Sequence, residues 1–147
     1  MTVMQYIPPR LQEIIEDFRL VEGEEKLHLL LEYSEQMPPL PEWLNDHHDE
    51  MQQVHECMAP VFVYAELHDG KMQYYFDVPP ESPTVRGYAA MLGIGLNGEA
   101  PETVMQVPSD FFYQMGLQSV LSPQRLNGVT AVLAYMKRLA MQHVNTA

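Results

Sequence analysis

One residue in this sequence has the type and placement of a nucleophile: Cys57, the sole cysteine. It follows the polar stretch 46–56 and precedes the apolar run 61–65, so it falls at a loop or strand end and outside any apolar helical stripe. The reactive form of a thiol is the thiolate, so a working site must stabilise negative sulfur with cations or hydrogen-bond donors. His55 lies two residues away and shares a face with Cys57 if the segment is extended. Glu56 acts in the opposite sense, because a neighbouring carboxylate raises a thiol pKa. The competing reading is structural, since free cysteine commonly serves as a small buried hydrophobe. A lone cysteine also excludes an internal disulfide.

Asp46, His47, His48 and Asp49, with His55 and Cys57, offer nitrogen, oxygen and sulfur atoms to a divalent metal. Structural zinc sites take paired ligands at each end, and here no second cysteine or distant histidine pair completes a set. The adjacent histidines therefore read as solvated surface. A zinc or iron scaffold using Cys57 with His55 or His47 stands as an alternative, and it predicts stoichiometric metal in the purified protein. No nucleophile-elbow, phosphate-loop or dinucleotide fingerprint occurs. Gly93-Ile-Gly95-Leu-Asn-Gly98 reads as the end of a helix. No cofactor is expected.

The chain has 147 residues, with 8 basic against 20 acidic side chains and a net charge of −12. With 46% hydrophobic residues and mean hydropathy −0.20, this is the composition of a soluble protein, expected to form one domain over residues 1–147. Most acids lie in residues 1–60, and none follows Pro123. Such a surface repels polyanions over a Debye length of about 8–10 Å, which argues against nucleic acid and anionic membrane and for a protein partner with a basic or mixed surface. No apolar run reaches the ~20 residues of a membrane span. MTVMQYIPPR has no leader pattern, so a cytoplasmic location is expected.

These residues must be positioned by an α+β arrangement. Leu11, Ile14, Ile15 and Phe18 repeat at helical offsets after Pro8-Pro9, and Gly23 ends that helix. A second helix from about Glu24 turns Leu27, Leu30 and Leu31 inward and stops before Pro38. Residues 61–65 and the alternating Met72, Tyr74 and Phe76 flank Asp69-Gly70, a β-hairpin with turn residues that tolerate positive φ. A strand over Met51–Glu56 completes a three-stranded antiparallel sheet, with Cys57 in its first connection. Ser82-Pro83 caps a helix carrying Val85, Tyr88, Ala89 and Leu92 inward, which Gly93, Gly95 and Gly98 weaken and end. Short helices are expected over Pro101–Val107 and, capped by Ser109, over Asp110–Met115. Ser122-Pro123 opens the last helix, with Leu126, Val129, Leu133, Met136 and Leu139 on its buried side.

Val54-x-x-Cys57, Val61-Phe62, the polar loop 77–82, Val85-Arg86-Gly87 and Leu121-Ser-Pro-Gln-Arg125-Leu-Asn-Gly128 occur in the order and spacing of one family. From about Arg10 to Ala140 the chain resembles SufE, the sulfur acceptors that accompany a cysteine desulfurase in iron–sulfur cluster assembly. It departs where the family commonly has glycine before the cysteine, here Glu56, and serine two residues after it, here Ala59. Pro60, Phe62 and Gln124 also replace common family residues. The resemblance implies a SufE/IscU-like α+β fold and a persulfide relay, in which Cys57 accepts sulfur from a SufS-like PLP enzyme and passes it to an iron–sulfur scaffold protein. It implies a carrier and enzyme activator rather than a stand-alone enzyme, with PLP held by the desulfurase alone. Arg125 and His55 become the candidates for assisting the sulfur, and Glu81 and Arg86 for loop or partner contacts. A non-catalytic interaction module, with Glu56 and Pro60 marking a spent site, is the remaining alternative.

Overall fold

Pro9 opens the first helix, in the first turn where a missing amide hydrogen costs nothing, and α1 runs Pro9–Arg19 with Leu11, Ile14, Ile15 and Phe18 buried. The structure is a computed structural model and describes residues 5–144, so the stretch read for a leader begins outside the described residues. Gly23, at φ 57°, turns the chain into α2, Glu24–Glu35. The Lys26 ammonium is buried and donates to the carbonyls of Phe18 and Met115, the second at 2.8 Å. Phe18 lies in the last turn of α1, and Met115 ends a later short helix, so one cation satisfies carbonyls at two helix C-termini.

The sheet is antiparallel in the order β1 (Gln52–Gln53), β2 (Phe62–His68), β3 (Lys71–Asp77). Asp69 and Gly70, at φ 53° and 79°, form the two-residue hairpin turn between the paired His68 and Lys71. The strand expected over Met51–Glu56 is present but only two residues long. Val54 N–H still bonds the Val61 carbonyl at 2.8 Å, and then the backbone turns, with Cys57 N–H on the Val54 carbonyl at 3.3 Å. Val63, Met72, Tyr74 and Phe76 form the inner face, covered by the helices α3 (Pro83–Leu96) and α6 (Pro123–Val144). The free edge of β3 is closed by backbone bonds from Met72 to Glu99 and from Gly98 to Met72 and by the Asn97 side chain on Tyr74 N–H. On the outer face a turn bearing Trp43 leaves that ring edge-on to Tyr64 at 5.2 Å.

α1 and α2 pack on α3, while α4 (Pro101–Met105) packs on α6 and α5 (Phe112–Met115) on α1. The fold is the expected α+β arrangement, with four differences in detail besides the short β1. Gly93 and Gly95 do not weaken α3: it runs through both to Leu96, because their missing side chains admit Phe76 and Leu11, and only Gly98, at φ 89°, turns the chain away. Leu31 is 38% exposed, because Gly87 lets α3 approach the Leu30 backbone and so centres the α2–α3 contact on Leu30. Ser82 and Ser109 make no cap; Ser109 instead receives the Lys137 ammonium at 3.4 Å. α4 and α5 are each shorter than expected, since tight turns after Met105 and around Asp110 take over the backbone bonds.

Candidate functional site

The loop from Val54 to Val61 lies against two helices, and that packing builds the surroundings of Cys57. The thiol is half-buried, between Met58, 58% exposed, and the helices beneath. Tyr88, from α3, is 1% exposed and donates its hydroxyl to Cys57 Sγ at 3.5 Å. The thiol in turn makes a long contact, 3.8 Å, to the carbonyl of Gly128 in α6. Gly128 is required by this geometry: a Cβ there would overlap the Tyr88 hydroxyl and sit 3.4 Å from Cys57 Sγ. The loop is tied on its far side by Tyr135 of α6, whose hydroxyl donates to Glu56 Oε1 at 3.2 Å.

The electrostatics of the site divide between opposing causes. Burial pushes the Cys57 thiol up, the Tyr88 hydroxyl pulls it down, and the Glu56 carboxylate pushes it up again, with a net rise. Free Cys57 is therefore held mainly as the thiol at neutral pH. Tyr88 is raised far above the ordinary phenol range, first by burial and then by its contact with Cys57, while Arg125 acts in the lowering direction. Arg125 is thus electrostatically coupled to the Tyr88 hydroxyl. It is half-buried in the first turn of α6, which Ser122 Oγ caps by accepting the Arg125 N–H at 3.3 Å.

The remaining sequence candidates fall around this centre in different ways. His55 is exposed, and because the backbone turns at residues 55–57 the extended geometry that would align it with Cys57 is absent. Glu81 is exposed in the turn before α3. Arg86 is half-buried, its guanidinium bonding the carbonyls of Ser34 at 3.2 Å and Val78 at 2.6 Å, so it ties the end of α2 to the segment after β3. His48 stacks on Phe62 with ring centroids 3.8 Å apart and shares a 2.6 Å hydrogen bond with Asp77; these residues, with Pro60 and Pro79, line a shallow groove reached three residues beyond Cys57. His47 is exposed, 4.0 Å from the Asp49 carboxylate. Among the described residues no three His, Cys, Asp or Glu side chains converge to hold a metal ion. No described helix is long and apolar enough to cross a membrane.

Residues 12–140 match the profile of the Fe-S metabolism associated domain, SufE. This chain belongs to the SufE family. An uncharacterized SufE-like protein of Mycobacterium tuberculosis is 38% identical over 139 residues, 94% of this chain and 96% of its own length. The sulfur acceptor protein CsdE of Escherichia coli is 30% identical over 115 residues, covering 77% and 75% of the two chains. A solution structure of a hypothetical protein from Thermus thermophilus superposes with TM-score 0.84 at 37% identity, over 97% of this chain and all of that one. Two residues that touch Cys57 in this SufE chain read from the sequence only as parts of the framework. Tyr88 sits on the inward face of α3, as its periodicity required, but the residue it meets is 31 positions away. Gly128 closes the Arg125-Leu-Asn-Gly128 motif, and its lack of a side chain was the available signal for a close approach.

Proposed function

We propose that this protein accepts sulfur as a persulfide on Cys57 from a PLP-dependent cysteine desulfurase, stimulates that enzyme, and hands the sulfur to an iron–sulfur scaffold protein in the cytoplasm. The observation that carries the reading is the sole cysteine of a SufE chain, half-buried against a hydroxyl donor and flanked by exposed Met58 and Pro60. In the transfer the Cys57 thiolate attacks the terminal sulfur of the donor's cysteine persulfide. A new S–S bond forms at Cys57, the donor's S–S bond breaks, and its electron pair leaves on the donor cysteine, which takes up the proton given by Cys57. No net oxidation or reduction occurs. Arg125 supplies positive potential on the side of Tyr88, and exposed His55, on the same loop as Cys57, offers the docked partner a hydrogen-bonding group. Glu81 meets the partner at the rim, while Arg86 holds the loop after β3. The apolar surface at Met58, Pro60 and the groove beside His48 fits a protein partner better than a small molecule.

The test is the intact mass of the protein after incubation with a cysteine desulfurase and L-cysteine, with Cys57→Ser alongside. Gain of one sulfur atom by the wild type alone, reversed by a reducing thiol, is the expected result. No gain from a desulfurase that charges its own cysteine normally would overturn the proposal. Arg125→Ala is expected to slow transfer at saturating partner without unfolding the domain, and an unchanged rate would remove Arg125 from the mechanism.

A further inference from the structure

The Tyr88 hydroxyl is a buried polar group with an unusual partner. A buried hydroxyl ordinarily finds a strong acceptor, because leaving it unsatisfied costs about 1–3 kcal/mol. Among the described residues the only hydrogen bond it makes is to Cys57 Sγ, and a neutral thiol sulfur is a weak acceptor. The room for this bond comes from Gly128 on a different helix, so three separate segments converge on one O–H···S contact. In the neutral state the arrangement leaves much of the hydroxyl's desolvation cost uncompensated.

Ionisation of the sulfur changes this balance. A charge-assisted hydrogen bond is roughly twice as strong as a neutral one, so the same donor gains once sulfur is negative, with no side chain needing to move. The other contact has the opposite preference: the Gly128 carbonyl can accept from the thiol but offers nothing to an anion. Burial keeps the phenol protonated, so Tyr88 acts as a donor and never as the base.

We infer that Tyr88 is a catalytic residue whose preorganised hydroxyl stabilises negative charge on the Cys57 sulfur, first as thiolate and then as persulfide anion, and that Gly128 is the positioning residue that makes its approach possible. The thiolate part stands by itself; the persulfide part rests on the sulfur-carrier reading.

The experiment follows the rate of Cys57 alkylation by iodoacetamide against pH in the full chain, which requires neither partner nor sulfur donor. In Tyr88→Phe, which keeps the ring, the neutral-pH rate is expected to fall on the order of tenfold, as for loss of one hydrogen bond to a charged group, with the profile displaced to higher pH and the alkaline plateau kept. Gly128→Ala, which displaces the hydroxyl but leaves it present, is expected to shift the profile in the same direction. Tyr88→Phe with Gly128→Ala is expected to lie close to Tyr88→Phe alone, because the severe overlap is with the hydroxyl, while the ring carbon at 3.3 Å and Cys57 Sγ at 3.4 Å need give way only slightly. A purely structural role would raise or lower neutral and alkaline rates together. A Tyr88→Phe profile superimposable on wild type, or a faster neutral rate, would overturn the inference. If the profile shifts but wild type gains no sulfur from a desulfurase, the carrier reading fails and the thiolate role stands. If wild type gains sulfur and the profile does not shift, the reverse holds. Single-turnover sulfur acceptance by Tyr88→Phe at saturating donor is expected to slow by a similar factor, and an unchanged rate would overturn the persulfide part.

Discussion

Lys26 and Tyr88 are both buried polar side chains on helices that pack against each other, yet they are satisfied in opposite ways. The Lys26 ammonium meets two carbonyls at helix ends, where the helix dipoles favour a cation. Two of its three N–H donors are met by these carbonyls, both strong acceptors. The Tyr88 hydroxyl is spent on a thiol, a poor acceptor, in a space cleared by a glycine. The first group holds the fold together at rest; the second is arranged for a charge that the resting site does not carry. Strong acceptors mark structure here, and a weak one marks chemistry.

The sharpest way to break this division is to strike the structural side. Gly87→Ala would force a Cβ onto the Leu30 backbone, which cannot give way as a side-chain tip can. A loss of about 3 kcal/mol or more is expected in urea unfolding. Lys26→Met is expected to cost roughly 2–3 kcal/mol by removing the cation from both carbonyls, while Cys57 in the folded fraction keeps its alkylation profile. A shifted profile in that variant would mean the two regions are coupled. Tyr88→Phe should behave in the converse manner, with a stability loss under about 1 kcal/mol in the same titration and a clear change in thiol reactivity. A large stability loss would place Tyr88 with Lys26 among the structural groups.

Two smaller effects follow from charge. Glu56 raises the Cys57 thiol, so Glu56→Gln should move the alkylation profile to lower pH and speed the neutral reaction, a shift that stopped-flow alkylation can resolve. The folded chain also holds the Cys57 and Tyr88 protons more tightly than the unfolded chain, since both groups are raised above their ordinary values of 9.0 and 10.0. Their stabilising contribution is therefore complete below those ordinary values and is lost as pH climbs through the folded ones. Urea midpoints should fall above about pH 9, with a shallower fall in Tyr88→Phe, and parallel curves would remove Tyr88 from the linkage.

Much of this was legible in local sequence, where local physics decides. Asp69-Gly70 forms its hairpin turn because both residues accept positive φ, and Ser122-Pro123 opens α6 because proline suits the first helical turn and serine caps the next amides. Cys57 stood out because nothing in its surroundings read as a helical stripe. The glycines of α3 were the opposite case. Their propensity argues for a helix end, but close packing of Phe76 and Leu11 against Gly93 and Gly95 outweighs a cost of about 1 kcal/mol each.

The sequence by itself determined the helices, the hairpin, the single thiol and the family to which the chain belongs, since each depends on neighbouring residues or on their order. Only the tertiary structure decided what touches that thiol. Tyr88 reads as an ordinary inward position on α3, and Gly128 as one glycine of a motif, until three segments far apart in the chain pack together. Periodicity tells which face of a helix is buried, but not which residue waits on the other side, because that depends on how the elements cross rather than on how each one forms.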